Sequence, residues 1–435
     1  MSDSSNKVIP PHAEMPQVVE NLFRREWGKM VSTLTRIFGI EHLELAQDVV
    51  QQALVKALQT WPYYGVPENP SAWIMRVSRN LALDQVRRET TFRNKEVDIA
   101  GFLAQQSPGD LKPSTEEIAD DSLRMMFVCC HPQIPREAQV ALALRTLCGF
   151  SVTEIASAFL TTEAAVAKRL TRAKQRIRSA HIAFEIPTGK ELTARVTGVL
   201  QTLYLVFNEG YKASVGERLV REELCQEAIR LTQLLAGHSA GNQPRCHALL
   251  ALMLLNAARL PARTDAEGNI LRLKEQDRTH WDRPKIARGM FHLAQSASGP
   301  EISEYHLQAG IAACHCAANT FEETDWQQIL SLYDRLVELD DSPVVALNRA
   351  VAVANVRGPA AGIAAVKSIR NSKELRSYYL LYAVLGEFEE RLGRPQSAAS
   401  YFRQALEQTE ITSEQSFLLN RMRDCETASF SGSPA

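Results

Sequence analysis

The sequence predicts an all-α protein. Nearly every segment of the 435 residues repeats its apolar side chains with a helical period, and strand-like alternation is hard to find. The breaks between periodic runs are loop chemistry: W-P-Y-Y-G-V-P-E-N-P at 61–70 and I-P-T-G at 186–189. A chain this long makes two or three domains, and 45% hydrophobic residues are enough to fill their cores.

Taken in order, residues 1–16 read as a polar, Pro-containing disordered tail, and 17–93 as three or four helices broken at 61–70. Residues 94–121 contain Gly, Pro and Ser with Glu96, Asp98, Asp110, Glu116, Glu117, Asp120 and Asp121, which predicts a flexible acidic linker. A second helical unit covers 122–184, and a long helical tract follows over 190–425. The net charge is only -1, with 22 basic and 21 acidic residues before Pro187 and 27 and 29 after it. Binding to nucleic acid depends on local clusters, however. From Ala164 to Phe184 there are six basic residues and no acidic one, so a DNA contact is expected there.

Cys129, Cys130, Cys148, Cys225, Cys246, Cys314, Cys316 and Cys425 lie in helix-like apolar contexts without paired C-x-x-C spacing. They are expected to be buried thiols, not a disulfide framework or zinc site, and no cofactor or metal is called for. No apolar run reaches the roughly 18 residues of a membrane span, and the N-terminus lacks a signal-peptide core. A cytoplasmic protein with no membrane partner is expected.

The sharpest local signal lies at residues 149–178. Ser151 with Glu154 makes a capping box before a short helix carrying Ile155, Ala156 and Phe159. Leu160-Thr161-Thr162 makes a turn, and Thr162 caps a second helix from Glu163. There Val166, Leu170, Ala173 and Ile177 form a core stripe. The opposite face collects Ala164, Lys168, Thr171, Arg172 and Gln175, flanked by Arg169 and Arg176. Short helix, tight turn and basic amphipathic helix are helix-turn-helix logic. Early residues (Thr162, Glu163, Ala164, Ala165) are placed to reach base edges, and the later Lys and Arg to hold phosphates.

This stretch resembles region 4 of extracytoplasmic-function (ECF, group 4) RNA polymerase sigma factors, with the pattern S-x-x-E-I-A, a turn, then V-x-x-R-L-x-R-A. It appears as Ser151, Glu154-Ile155-Ala156, Val166, Arg169-Leu170 and Arg172-Ala173. Leu160 stands where the family usually has Gly. Residues 46–58 (A-Q-D-V-V-Q-Q-A-L-V-K-A-L) and 70–89 (P-S-A-W-I-M-R-V-S-R-N-L-A-L-D-Q-V-R-R-E) resemble sigma region 2 in order and spacing.

The residues make physical sense on their own. From Ser71 onward, Ile74, Val77 and Leu81 form an apolar flank beside a stripe of Trp73, Arg76, Asn80, Asp84 and Arg87, with Arg88 adjacent. An aromatic, an amide and arginines on one exposed face stack on and hydrogen-bond unpaired bases. The preceding loop with Trp61, Tyr63 and Tyr64 is placed to receive a flipped base. Asp48, Gln51 and Gln52 share one face of the earlier helix. By resemblance that face docks on the beta-prime clamp of core RNA polymerase, while region 4 meets the beta flap.

Residues 385–406 match the tetratricopeptide pattern at Leu385, Gly386, Gly393, Ala398, Phe402 and Ala405, and 346–369 reads as a degenerate preceding repeat. With L-Y-L-V-F-N-E-G-Y (203–211), L-A-L-M-L-L-N-A-A-R (250–259), E-Q-D-R-T-H-W-D (275–282) and L-N-R-A-V-A (347–352), the tract resembles the sigma subgroup with a tetratricopeptide-like C-terminal extension, often called group 42. That resemblance implies an extension controlling sigma activity, by intramolecular docking or by binding an unidentified regulatory partner. Glu275, Asp277, Arg278, His280 and Asp282 are read as a salt-bridged loop, since no histidine pair or nucleophile accompanies them.

The expected function is therefore that of a sigma factor, not an enzyme. It binds core polymerase, recognises the minus-thirty-five element as duplex and captures the melted minus-ten element. The alternatives are a helix-turn-helix regulator with a repeat-type sensor domain, and a helical hydrolase or transferase, for which no catalytic constellation converges.

Overall fold

A computed structural model describes residues 15–93, 115–158, 161–211, 221–265, 270–369, 375, 378–409 and 411–431. The chain divides into two compact units, Met1–Ser157 with Thr161–Thr202, and Ala158–Leu160 with Leu203–Ala435. Among the described residues the only β pairing is an isolated antiparallel bridge between Thr264 and Ile270. The expected all-α class is observed.

The first unit holds α1 (Met15–Phe38), α2 (Leu43–Tyr64), α3 (Pro70–Arg93), α4 (Thr115–Cys129), α5 (Arg136–Leu147), α6 (Val152–Ala158), α7 (Glu163–Ser179) and the start of α8 (Gly189–Tyr211). Helix α1 is its spine, packing on α2, α4 and α5. Trp27, Val31, Leu34, Val49, Ala53, Ile74, Phe127 and Leu142 are buried in the core.

Two boundaries differ from those read in the sequence. Helix α2 carries Pro62 inside its last turn and continues to Tyr64, so the break before α3 shrinks to residues 65–69. Trp61, 1% exposed, anchors that turn in the core, and Gly65 (φ 80) ends it by donating its N–H to the Trp61 carbonyl. The acidic linker also ends early, because α4 begins at Thr115. Asp121 is fully buried there, accepting from Arg36 Nε at 3.0 Å and Arg124 Nη1 at 2.9 Å. The rest of that expected linker, 94–114, and residues 1–14 of the expected tail lie outside the described residues.

The helices before and after that linker pack on one another. Trp27 Nε1 donates to the Arg145 carbonyl at 3.0 Å while the Arg145 guanidinium lies 5.7 Å from the Trp27 ring. Gln47 Nε2 donates to Thr146 Oγ1 at 3.2 Å. Between them Gly28 meets the backbone of α5 so closely that a Cβ would stand 2.2 Å from the Leu147 carbonyl oxygen. From α8, the buried Arg195 donates to the Phe127 carbonyl at 2.6 Å and to Glu191 at 2.8 Å.

The second unit continues α8 and adds α9 (Glu222–Gly237), α10 (Pro244–Ala257), α11 (Arg283–Ser296), α12 (Glu304–Ala317), α13 (Trp326–Leu339), α14 (Pro343–Arg357), α15 (Pro359–Lys367), α16 (Tyr379–Arg391), α17 (Pro395–Leu406) and α18 (Thr412–Ser431). Most of these helices pack on the next in the chain. Helix α10 is buried nearly all round, from Cys246 through Ala257. Small residues set the close approaches further on. A Cβ on Gly362 would meet Ala354 at 2.6 Å and Phe388 at 2.8 Å, and one on Gly386 would meet Phe402 at 2.8 Å.

Glu387 ties the loop before α11 to the last helices. It accepts from Arg272 Nη1 at 2.6 Å, Lys274 Nζ at 2.8 Å and Arg421 Nη2 at 3.2 Å, and Arg421 also holds Glu390. Burial alone would raise the Glu387 pKa, but hydrogen bonds from Lys274 and Arg272 outweigh it and hold it at about 2.

Two outcomes follow. Gly28→Ala is expected to cost about 1–3 kcal/mol, an overpacking penalty with backbone on both sides, read from urea unfolding. Glu387 is ionised in the fold well below the ordinary carboxylate pKa, so it stabilises above that value and its contribution is lost as pH falls toward about 2. Glu387→Gln should therefore flatten the acid limb of a stability–pH curve.

Candidate nucleic-acid interface

The two helices flanking the expected turn are capped as their sequences dictate. The Ser151 N–H donates to Glu154 Oε2 at 2.7 Å and the Glu154 N–H to Ser151 Oγ at 3.1 Å, closing both halves of the capping box. Phe159 and Leu160, the start of the expected turn, lie outside the described residues. At its far side the Ala165 N–H donates to Thr162 Oγ1 at 3.2 Å, so Thr162 caps α7.

Helix α7 buries Val166, Leu170, Ala173 and Ile177 and turns its other face outward. Thr162, Glu163, Ala164, Lys168, Thr171, Arg172, Gln175 and Arg176 are exposed, and Ala165 and Arg169 are half-buried. Arg169 is held by Glu137 at 2.9 Å. On the flank nearest α2, Lys174 and Arg178 reach the two oxygens of Glu44 at 3.5 and 3.6 Å. Burial lowers the Lys174 pKa, with Glu44 opposing. The sequence reading did not single out Lys174 and Arg178, because their partner lies far away in the chain.

In α3 Arg76, Asn80, Asp84, Arg87 and Arg88 are exposed, as is Gln85. The buried stripe is Ile74, Ser78, Ala82 and Val86, whereas Val77 and Leu81, expected in the apolar flank, are half-buried. Trp61 requires a correction. It lies in helix α2, not in the loop, and its burial keeps it from facing a base. It instead backs Trp73 edge-on, with ring centroids 5.5 Å apart at 65°. Tyr63 and Tyr64 remain outside, 79% and 86% exposed.

Asp48, Gln51 and Gln52 are exposed on α2, and the same face continues into Val55 and Leu58, which are exposed apolar residues. The sequence reading missed these two, although the i+3 and i+4 steps from Gln51 lead to them. Polar and apolar groups side by side on a helix suit a protein partner. Asp48 also feels the charges of Arg145 and Lys174.

Comparison with known proteins gives this geometry a context. Residues 22–92 match the model of Sigma-70 region 2, and 124–177 that of Sigma-70, region 4. Residues 195–297 match a family of unknown function (DUF6596). The uncharacterized protein R00370 of Rhizobium meliloti is 39% identical over 396 residues, covering 89% of this chain and 91% of that protein. The probable ECF RNA polymerase sigma factor SigI of Mycobacterium tuberculosis is 24% identical over 209 residues, 46% of this chain and 70% of that one. No solved structure matches.

The chain belongs to the family of the Rhizobium protein, and its two N-terminal domains are those of a sigma factor. Sigma domains bind core RNA polymerase and promoter DNA in transcription initiation. Region 2 contains α2 and the described exposed stripe of α3, and region 4 the capped helix pair with nearly all of α7. No helix among the described residues is long and apolar enough to cross a membrane.

Thr162→Ala removes the side-chain acceptor of the Ala165 N–H. It should cost about 1 kcal/mol and speed amide exchange at the start of α7, measured by hydrogen exchange.

Proposed function

We propose that this chain is an extracytoplasmic-function sigma factor of the group-42 type, acting in the cytoplasm. In this reading α7 recognises minus-thirty-five duplex DNA, α3 captures the melted minus-ten strand, and a tetratricopeptide-like extension modulates both. The observation that carries it is the outer face of α7. Lys168, Arg172 and Arg176 stand exposed among small and polar residues on a helix capped at Thr162, a surface shaped for a major groove.

The single-strand role rests on the stripe Arg76, Asn80, Asp84, Arg87 and Arg88, with Trp73 behind it and Tyr63 and Tyr64 exposed at the end of α2. Aromatic faces and guanidinium groups hold unstacked bases at about 1–3 kcal/mol per base. Docking to the beta-prime clamp is assigned to Asp48, Gln51 and Gln52, extended here by Val55 and Leu58. The region 4 domain is assigned to the beta flap. The chain itself supplies positioning and binding energy, and phosphodiester chemistry stays with the polymerase.

For the extension, the repeat reading is supported by the helix pairs α14–α15 and α16–α17, by the glycine contacts at 362 and 386, and by buried Ala398, Phe402 and Ala405.

Run-off transcription with purified core polymerase on a promoter library tests this directly. The double substitution Lys168→Ala with Arg172→Ala should abolish promoter-specific transcripts while leaving core binding intact, and unaltered promoter use would refute the assignment. Changing Arg76 and Asn80 to alanine should weaken open-complex formation, read by permanganate reactivity of promoter thymines, more than core association.

A further inference from the structure

The segment joining α10 to α11 carries a cluster of positive charge that forms no ion pair among the described residues. Arg278 is 5% exposed, and its guanidinium donates to the carbonyl oxygens of His315 at 2.8 Å and Ala318 at 2.9 Å and to Thr324 Oγ1 at 2.9 Å. These acceptors take three of its five N–H groups and bring no negative charge. Arg259 lies beside it. The Cζ atoms of Arg259 and Arg278 stand 5.4 and 4.9 Å from the centre of the same Trp281 ring. Neither arginine forms an ion pair among the described residues, and Glu322 and Glu323 act on Arg278 only through space. The salt-bridged loop expected here exists around them, as Arg272 with Glu275, Asp277 with His280 and Asp282 with Lys285, but it leaves these two out.

Polar atoms go unpartnered in the same cluster. Arg259 Nε, Trp281 Nε1 and His315 Nδ1 are buried without a hydrogen bond, although Trp281 is only 3% exposed and His315 9%. Burial, helped by Arg259 and Arg278, lowers the His315 pKa to about 3, so its ring is neutral and adds no third charge. Buried charges and donors ordinarily have partners, since leaving them bare is strongly unfavourable. Here the missing partner is an anion with acceptor oxygens. Arg259 is only partly buried, so the cluster borders solvent on that side.

We propose that this cluster binds the dianionic phosphate group of a small-molecule ligand, with Arg259 and the Trp281 indole N–H donating to its oxygens and Arg278 supplying the second positive charge. Two guanidinium groups match a group carrying about -1.5 to -2 charges at neutral pH, whereas a monocarboxylate would leave one uncompensated. Arginine also offers the planar fork that phosphate oxygens accept. The extension would then take a chemical signal at a site separate from the sigma domains. Binding there does not depend on how those domains act on a promoter.

The test uses the full chain and inorganic phosphate as probe, with sulfate as a second dianion and acetate as a monoanion at matched ionic strength. Thermal unfolding should shift upward with phosphate and sulfate and stay unmoved with acetate. Arg259→Gln should weaken phosphate binding by about tenfold or more, the loss of one charge-assisted contact. Hydrogen exchange on the unaltered chain keeps the test decisive if that variant fails to fold. Phosphate should slow exchange in peptides covering 257–282 and 313–326. No dianion-specific shift, equal binding by a folded Arg259→Gln variant, or protection confined to other segments would each overturn the proposal.

Discussion

The first unit depends on one backbone approach. Gly28 has no side chain, so α1 comes directly against the carbonyl of Leu147 in α5. Trp27 fixes the angle by donating to the neighbouring carbonyl of Arg145 while its ring lies against the same guanidinium. Gln47 and the buried Asp121 fasten the seam on either side. The two sigma domains are joined through residues 94–114, and the seam is where they meet within one compact unit. Any rearrangement that parts the domains must give up buried, directional contacts as well as apolar area, and an orphaned partner on either side would cost more than the bond itself contributes.

Much of this was legible in the chain because local rules wrote it. Ser151 with Glu154, and Thr162 with the amide three residues on, are caps whose partners lie within one turn, and both form as their spacing requires. The core stripe Val166, Leu170, Ala173 and Ile177 follows from helical period alone. What escaped was decided by long-range contacts. Trp61 stands in a Pro- and Gly-rich stretch that reads as loop, but burial against the core and its edge contact with Trp73 keep the helix going past Pro62. Asp121 looks like the end of a solvated acidic run, but it is buried, where Arg36, eighty-five positions earlier, and Arg124 compensate its charge.

The second unit shows the same division. Its glycines at 362 and 386 sit where helices approach, and a repeat pattern marks the second of them in advance. The arginines at 259 and 278 carry no such mark. In sequence Arg278 stands among acidic residues, where the natural reading is pairing with them, and Arg259 has no acidic residue within five positions. The structure gives those acids to Arg272, His280 and Lys285 instead, and turns the two guanidinium groups toward one indole ring. Which carboxylate meets which cation is set by tertiary placement, so charge counting along a loop does not reveal it.

Glu44 has a consequence beyond the seam. One carboxylate engages two cations, Lys174 and Arg178, at the edge of α7, the helix proposed to read DNA. A nucleic-acid backbone arriving on that edge meets positive groups already spoken for, and must displace an internal rival to engage them. Dissolved ions weaken both contenders, the carboxylate's hold and the incoming polyanion's attraction. In the proposed complex the effect of ionic strength is thereby blunted at this flank, while Lys168 and Arg172, which form no ion pair among the described residues, respond in full. A single acidic residue on a neighbouring helix would thus set the electrolyte response of that flank.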